Sequence, residues 1–130
     1  MSIINNEKII FTIEGEPASK SNSRKIVNFG KRMGLIKSEK ARNYETIFAH
    51  QCPTLKNLIE TDVKVELIIH YASRRPDLDE SVILDCMQGK IYVNDRQVKQ
   101  KHIYWGLDRN RPRTHVRVSL MEICDVPSSF

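Results

Sequence analysis

Hydrophobic and polar positions alternate most clearly over residues 62–71, where Val63, Val65, Leu67, Ile69 and Tyr71 interleave with Lys64, Glu66, Ile68 and His70. A period of two puts each set on its own face, so this segment predicts a strand with one apolar and one mixed side. Residues 8–14 (KIIFTIE) are rich in β-formers and predict an earlier strand, broken by Gly15-Glu16-Pro17. Residues 19–31 are polar, basic and short of apolar anchors, so they read as a loop; residues 33–37 read as a short strand. From Ser38 the period changes. Ala41, Tyr44, Ile47, Phe48 and Gln51 recur at near-helical spacing, Ser38 suits an N-cap, Glu39 suits the positive end of the helix, and Pro53 ends the run.

Pro76 cannot donate to a ladder and closes the central strand. A second helix is expected next, with Asp79 as its cap, Val82, Ile83, Cys86 and Met87 on one face, and Gly89 at the C′ position. Residues 91–93 read as a brief strand, Asn94-Asp95 as a turn, and residues 98–105 and 114–123 as two further strands. The order predicts an α+β fold: a small mixed or antiparallel sheet with two main helices packed on one face. It would occupy residues 1–130 as a single domain, with its core over about 8–122 and a frayed tail beyond.

Composition narrows the classes. Hydrophobic residues make up 40% and charged residues 28% of the 130, which fits a packed domain and argues against disorder. No run approaches the ~18 apolar residues of a membrane span, and no apolar signal region opens the chain, so no membrane partner is expected. Cys52, Cys86 and Cys124 form no CxxC pair. That spacing is neither a disulfide framework nor a zinc site, and it fits a reducing, cytoplasmic setting.

The net charge of +5 matters less than its distribution. Between residues 18 and 37 there are six Lys or Arg and no acid; between 96 and 117 there are seven against Asp108 alone. Carboxylates concentrate over residues 77–95. Basic segments around an acidic middle suit a polyanion held across a cation site, although basic loops are also ordinary solvated surface. Lys20, Arg24, Lys25, Lys31 and Arg32 are the first candidates for phosphate contact, with Arg75 beside the acidic segment. Arg109, Arg111 and Arg113 could do the same or form a surface turn. Tyr104 and Trp105 could stack on an unpaired base, though packing is the commoner role of such a pair. The four histidines, His50, His70, His102 and His115, have no ligand spacing.

The acidic segment carries the chemistry. Asp77 and Asp79 project to the same side of an extended chain. Asp95 follows one helix and a short strand later, and a returning strand can bring it back toward them. Clustered carboxylates repel unless a cation lies between them, and hard divalent ions such as Mg²⁺ prefer oxygen ligands. Asp77, Asp79 and Asp95 are therefore candidate Mg²⁺ ligands and catalytic residues for phosphodiester hydrolysis. A calcium loop starting at Asp77 would need Gly and Glu where Val82 and Gln88 stand. A haloacid-dehalogenase-like phosphatase would need a longer doubly wound domain and Thr or Val where Ser81 stands.

The segments Pro76-Asp77-Leu78-Asp79, Leu84-Asp85-Cys86-Met87-Gln88-Gly89 and Tyr92-Val93-Asn94-Asp95-Arg96-Gln97-Val98 resemble the core motif of the RusA-type Holliday-junction resolvases. Gly15-Glu16-Pro17 followed by Ser19-Lys20-Ser21-Asn22-Ser23-Arg24 resembles that family's basic loop. The resemblance implies a small α+β homodimer that makes paired, Mg²⁺-dependent nicks in four-way or other branched DNA, with Mn²⁺ as a possible substitute. It aligns the family's catalytic aspartates with Asp77, Asp79 and Asp95, and gives Asp85 a supporting role, with helix capping or plain helix surface as the alternative. Members are often phage- or prophage-encoded. The sequence departs from the family in three places: Glu80 replaces the usual Asn, the following helix is shorter, and Ser81, Val82 and Ile83 stand where a helix lysine is usual. A non-catalytic, structure-selective nucleic-acid-binding protein that keeps the fold is the alternative, and a phosphoesterase acting on small nucleotides is a third reading.

Overall fold

The computed structural model describes residues 3–4, 8–18, 24–30 and 32–121. In chain order it forms β1 (Ile3–Ile4), β2 (Lys8–Glu14), β3 (Arg24–Phe29), β4 (Arg32–Lys37), α1 (Glu39–Gln51), β5 (Val63–Tyr71), α2 (Ser81–Met87), β6 (Val98–Leu107) and β7 (Arg113–Leu120). A 3-10 turn, Asp95–Gln97, leads into β6.

The main sheet has the order β1-β2-β7-β5-β6, and β3 pairs only with β4 in a separate hairpin. The β5–β6 pair is parallel and the others are antiparallel, so the sheet is mixed. A parallel pair needs a crossover between its strands. Here the crossover is the segment 72–97 with α2 inside it, and this segment holds the aspartates.

The alternation along β5 decides which face is covered. Val63, Val65, Leu67, Ile69 and Tyr71 are fully buried, in register with Val116 and Val118 of β7, which pair in turn with Phe11 and Ile9 of β2. Tyr44 and Phe48 of α1 and Val82, Ile83 and Met87 of α2 bury against this same face. Phe48 meets Phe11 edge to face at 6.2 Å. Each such apolar side chain contributes about 1.5–3 kcal/mol of transfer free energy. The opposite face carries Lys64, Glu66, Ile68 and His70 of β5 beside Arg113, His115 and Arg117 of β7.

Helix boundaries follow local chemistry. Ser38 caps α1 by accepting the Ala41 amide at 3.2 Å, and Gly89 takes φ +79° just past α2. The expected cap at Asp79 is displaced: α2 starts at Ser81, the flanking residue is Glu80, and Asp79 instead accepts the Ser81 amide at 3.0 Å and its hydroxyl at 2.8 Å. An aspartate bonded two residues ahead shapes the approach to a helix instead of capping it.

Other expectations change as well. Residues 24–29, read as part of a loop, are a strand of the hairpin, with Ile26 opposite Leu35 and Val27 opposite Gly34. None of the hairpin's described residues belongs to the core cluster, and Ile26, Met33 and Leu35 are exposed, so its strands are not marked by a buried face. Residues 91–93 form no strand; Tyr92 makes isolated bridges to Ile59 and Gln88. Ile47, placed on the apolar face of α1, is 41% exposed. Lys20, Lys31 and the tail beyond residue 122 lie outside the described residues.

Candidate active site

Tyr71 ends β5 and fixes the start of the acidic segment. Its hydroxyl donates to the Asp77 carbonyl at 3.2 Å and receives the Asp79 amide at 3.3 Å. One buried phenol thereby sets the backbone on either side of Leu78. Burial pushes the Tyr71 pKa up, opposed by the Asp79 amide and reinforced by the negative charges of Asp79, Glu16 and Glu80. The phenol therefore stays protonated and keeps its donor. Asp79 is half-buried and Asp77 is exposed. The Asp79 bonds to Ser81 use Oδ1, and Oδ2 takes no part in them.

The segment then runs back along the edge strand β6. Trp105 stacks on Tyr71 with ring centroids 5.9 Å apart, and its indole N–H donates to the Pro76 carbonyl at 3.2 Å. Lys101, on the same face of β6, donates to Glu80 Oε1 at 2.6 Å. Trp105 pairs with Ile69 and Lys101 with Val65, so these anchors stand four residues apart along β6. That is about 13 Å at the usual strand rise. Residues 76–80 thus descend along β6 toward its beginning, where Asp95 lies.

Asp95 is held by a second set of bonds. Its amide donates to Gln88 Oε1 at 2.8 Å, which ties the turn to the end of α2. Gln97 does more. Its Oε1 accepts the Val93 and Asn94 amides at 3.0 and 2.9 Å, and its Nε2 donates to the Ile59 and Thr61 carbonyls at 2.7 and 2.9 Å. Asn94 completes a capping box by accepting the Arg96 amide at 2.9 Å. The Asn94-Asp95-Arg96-Gln97 run is therefore a device for presenting Asp95. Below it Tyr92 is fully buried, its hydroxyl donating to the Leu84 carbonyl at 2.6 Å.

The carboxylates form a strip along β6 instead of a closed cluster. Among the described residues, no group of three or more His, Cys, Asp or Glu side chains is arranged to hold a metal ion. The donors that Asp77, Asp79 and Asp95 offer are nevertheless all carboxylate oxygens. That chemistry fits Mg²⁺, which keeps several waters and takes as few as one or two protein carboxylates.

Glu16 and Lys101 are not marked as site groups by the sequence, whereas Glu80, in the place of the family's usual Asn, reads there as a possible fourth metal ligand. Glu16 follows β2 and reaches Tyr71 only through the fold. Lys101 reads from sequence as one of many basic residues; only the register of β6 brings it to Glu80.

The basic candidates divide. Lys25 is exposed on the hairpin, Arg24 and Arg32 lie on its strands, and Arg75 is exposed in the segment after β5. Arg111 binds Glu14 through two nitrogens at 2.7 and 2.6 Å, and Arg113 binds Asp108 at 2.6 Å. Much of that second basic run is thus neutralised by carboxylates of this chain. Tyr104 is 55% exposed on the open face, whereas Trp105 packs. Burial raises the thiol pKa of Cys52 to about 12 and of Cys86 to about 11, so neither is a poised nucleophile.

A family model for endodeoxyribonuclease RusA matches residues 14–119. The chain belongs to the RusA endodeoxyribonuclease family. The matched span takes in the hairpin, both helices and the whole acidic strip, and the mixed sheet with two helices agrees with the RusA-like fold. Among curated proteins, no relative matches the chain. No helix of the described residues is long and apolar enough to cross a membrane.

Proposed function

We propose that this RusA-family chain is a divalent-metal-dependent, structure-selective endonuclease that cuts Holliday junctions or related branched DNA by phosphodiester hydrolysis. The observation that carries this reading is the crossover between β5 and β6. Its Asp77, Asp79 and Asp95 backbones are each fixed by buried or half-buried partners, Tyr71 and Gln88, within the span that the family model matches.

In this reading Asp77, Asp79 and Asp95 hold Mg²⁺, or Mn²⁺ in its place. The cation would supply charge for the phosphate and an activated water. The chain supplies the rest. Tyr71 and Gln97 keep the carboxylate-bearing backbone in place without touching substrate. β2, which precedes the hairpin, ends at the same end of the sheet as β5, and the hairpin, with Lys25 exposed and Arg24 and Arg32 on its strands, would hold the DNA backbone. Lys20, Lys31 and Arg75 are assigned to the same task. Two copies related by a two-fold axis would match the symmetry of a four-way junction, so the active species is assigned as a homodimer.

The test compares a four-way junction, a flap and a plain duplex, each with Mg²⁺ and with EDTA, for wild type and Asp79→Asn. Paired symmetric nicks on the junction, lost with EDTA and in the variant, are expected. Metal-dependent cutting without junction preference would remove the resolvase assignment. Tight junction binding without cutting under Mg²⁺ or Mn²⁺ would point to a binding protein that keeps the fold.

A further inference from the structure

The acidic strip poses an electrostatic problem for a nuclease. Asp77, Asp79, Glu80 and Asp95 all lie along one edge of the sheet, and a DNA phosphate approaching them is repelled. A cation of the chain itself at the strip offsets that repulsion for the charge that a bound metal ion leaves uncompensated. Lys101 occupies that place. Its ammonium sits 2.6 Å from Glu80, and its side chain lines a shallow cavity of about 220 Å³ together with Leu84, Asp95, Val98, Lys99 and Gln100. Lys101 thus stands in the part of the strip between Glu80, which it binds, and Asp95, with which it lines the cavity.

Stability does not account for this arrangement. The side chains of Lys101 and Glu80 are 49% and 21% exposed. An ion pair of that kind contributes about 0–1 kcal/mol. Trp105 already pins the same segment to β6 through Pro76.

We infer that Lys101 is a phosphate-binding residue of the active site, held ready by Glu80 and transferred to a phosphate oxygen of the DNA when substrate covers the strip. This rests on the proposed nuclease function and adds to it a cation from the edge strand. Glu80 has a matching part: it keeps the ammonium at the strip in the absence of DNA and competes with phosphate for it.

The pair therefore makes opposite predictions from its two ends. The test measures four-way-junction affinity in EDTA across a salt series, for wild type, Lys101→Met, Lys101→Arg, Glu80→Gln and the comparator Lys99→Met. Loss of one phosphate contact should lower the slope of log affinity against log salt by about 0.9. That loss is expected for Lys101→Met and is expected to be restored in Lys101→Arg. Glu80→Gln should keep the slope and tighten binding. Single-turnover cleavage in Mg²⁺ by Lys101→Met should fall on the order of 10²-fold, as for removal of one transition-state donor.

An unchanged slope in Lys101→Met overturns the inference, as does equal weakening in Lys101→Met and Glu80→Gln, which is the signature of a structural brace. Slope loss in Lys99→Met alone moves the role to that residue and also overturns it. If wild type cuts junctions while Lys101→Met matches it in both assays, the inference fails and the nuclease reading stands. If wild type cuts nothing while the slope falls in Lys101→Met, the nuclease reading fails and the phosphate contact stands.

Discussion

The hydroxyl of Tyr71 receives the amide of Asp79 at 3.3 Å. The same hydroxyl donates to the carbonyl two residues earlier, so a single oxygen sets the backbone that carries both aspartates. Tyr71→Phe keeps the ring and its stack on Trp105 but leaves an amide and a carbonyl without their partner. The cost should be about 1–3 kcal/mol, read as a lower denaturant midpoint. Cleavage should fall further than stability explains, on the order of 10²-fold for a displacement near 1 Å. A variant that loses stability but cleaves at the wild-type rate would show that the aspartates do not depend on this anchor.

Gln97 makes the corresponding test at the other end of the strip. Its amide bonds to four backbone groups, which is its full capacity. Gln97→Glu is nearly isosteric yet replaces two donors with acceptors facing the carbonyls of Ile59 and Thr61. It should be more damaging than Gln97→Ala, and both should lower cleavage with junction affinity less affected. Melting curves alongside cleavage rates check this; a Gln97→Glu variant as stable and active as wild type contradicts the assigned bonding.

These two anchors show what was legible in the sequence and what was not. The period-two alternation along β5 and the helical spacing in α1 are local patterns, so both elements could be read directly. The run from Asn94 to Gln97 could be recognised as a motif. Its physical reason could not, because Ile59 and Thr61 reach Gln97 only after the chain has folded. Asp79 was a reasonable helix cap on local grounds; the buried Tyr71 hydroxyl holds its amide and shifts the helix start to Ser81. The hairpin was misread because it pairs through its backbone and buries no face in the core. Lys101 was hidden for the opposite reason: nothing about an exposed strand lysine marks it until the parallel register sets it against Glu80.

Asp77 is the exposed member of the strip, and its carboxylate does not appear among the bonds that hold the backbone there. Asp77→Asn should therefore fold as wild type does. It should abolish cleavage without weakening junction binding in EDTA, because it removes a ligand charge that repels phosphate and no phosphate contact. Wild-type cleavage by this variant would remove Asp77 from the metal site. Equal thermal stability, checked in parallel, keeps a null result from being ascribed to misfolding.

The open face of the sheet predicts how stability changes with pH. His70 and His115 meet edge to face at 5.3 Å. Burial first, and then the charge of Arg113, lowers the pKa of both below the ordinary 6.5. The bonding agrees. Arg113 Nε is always a donor and lies 3.3 Å from His115 Nε2, so that nitrogen accepts. The proton is then on Nδ1, which donates to the Thr12 hydroxyl at 2.9 Å. Protonating Nε2 would set two donors against each other. For a base whose folded pKa is depressed, the unfolded chain takes up protons first as pH falls. The contribution of these histidines is therefore fully present above about 6.5 and declines below it, until pH passes the folded values. Glu14, Glu66 and Asp108 are shifted below their ordinary values, each chiefly by a hydrogen bond from Arg111, Arg117 or Arg113. Their contribution holds above the ordinary carboxylate range and is lost only as pH falls through their lower folded values. Denaturant midpoints measured from pH 8 to 3 should thus be flat at first, step down below about 6.5, and fall again in the carboxylate range. In a His70→Gln, His115→Gln variant the first step should disappear while the second remains. A first step that persists in that variant would assign it to other groups.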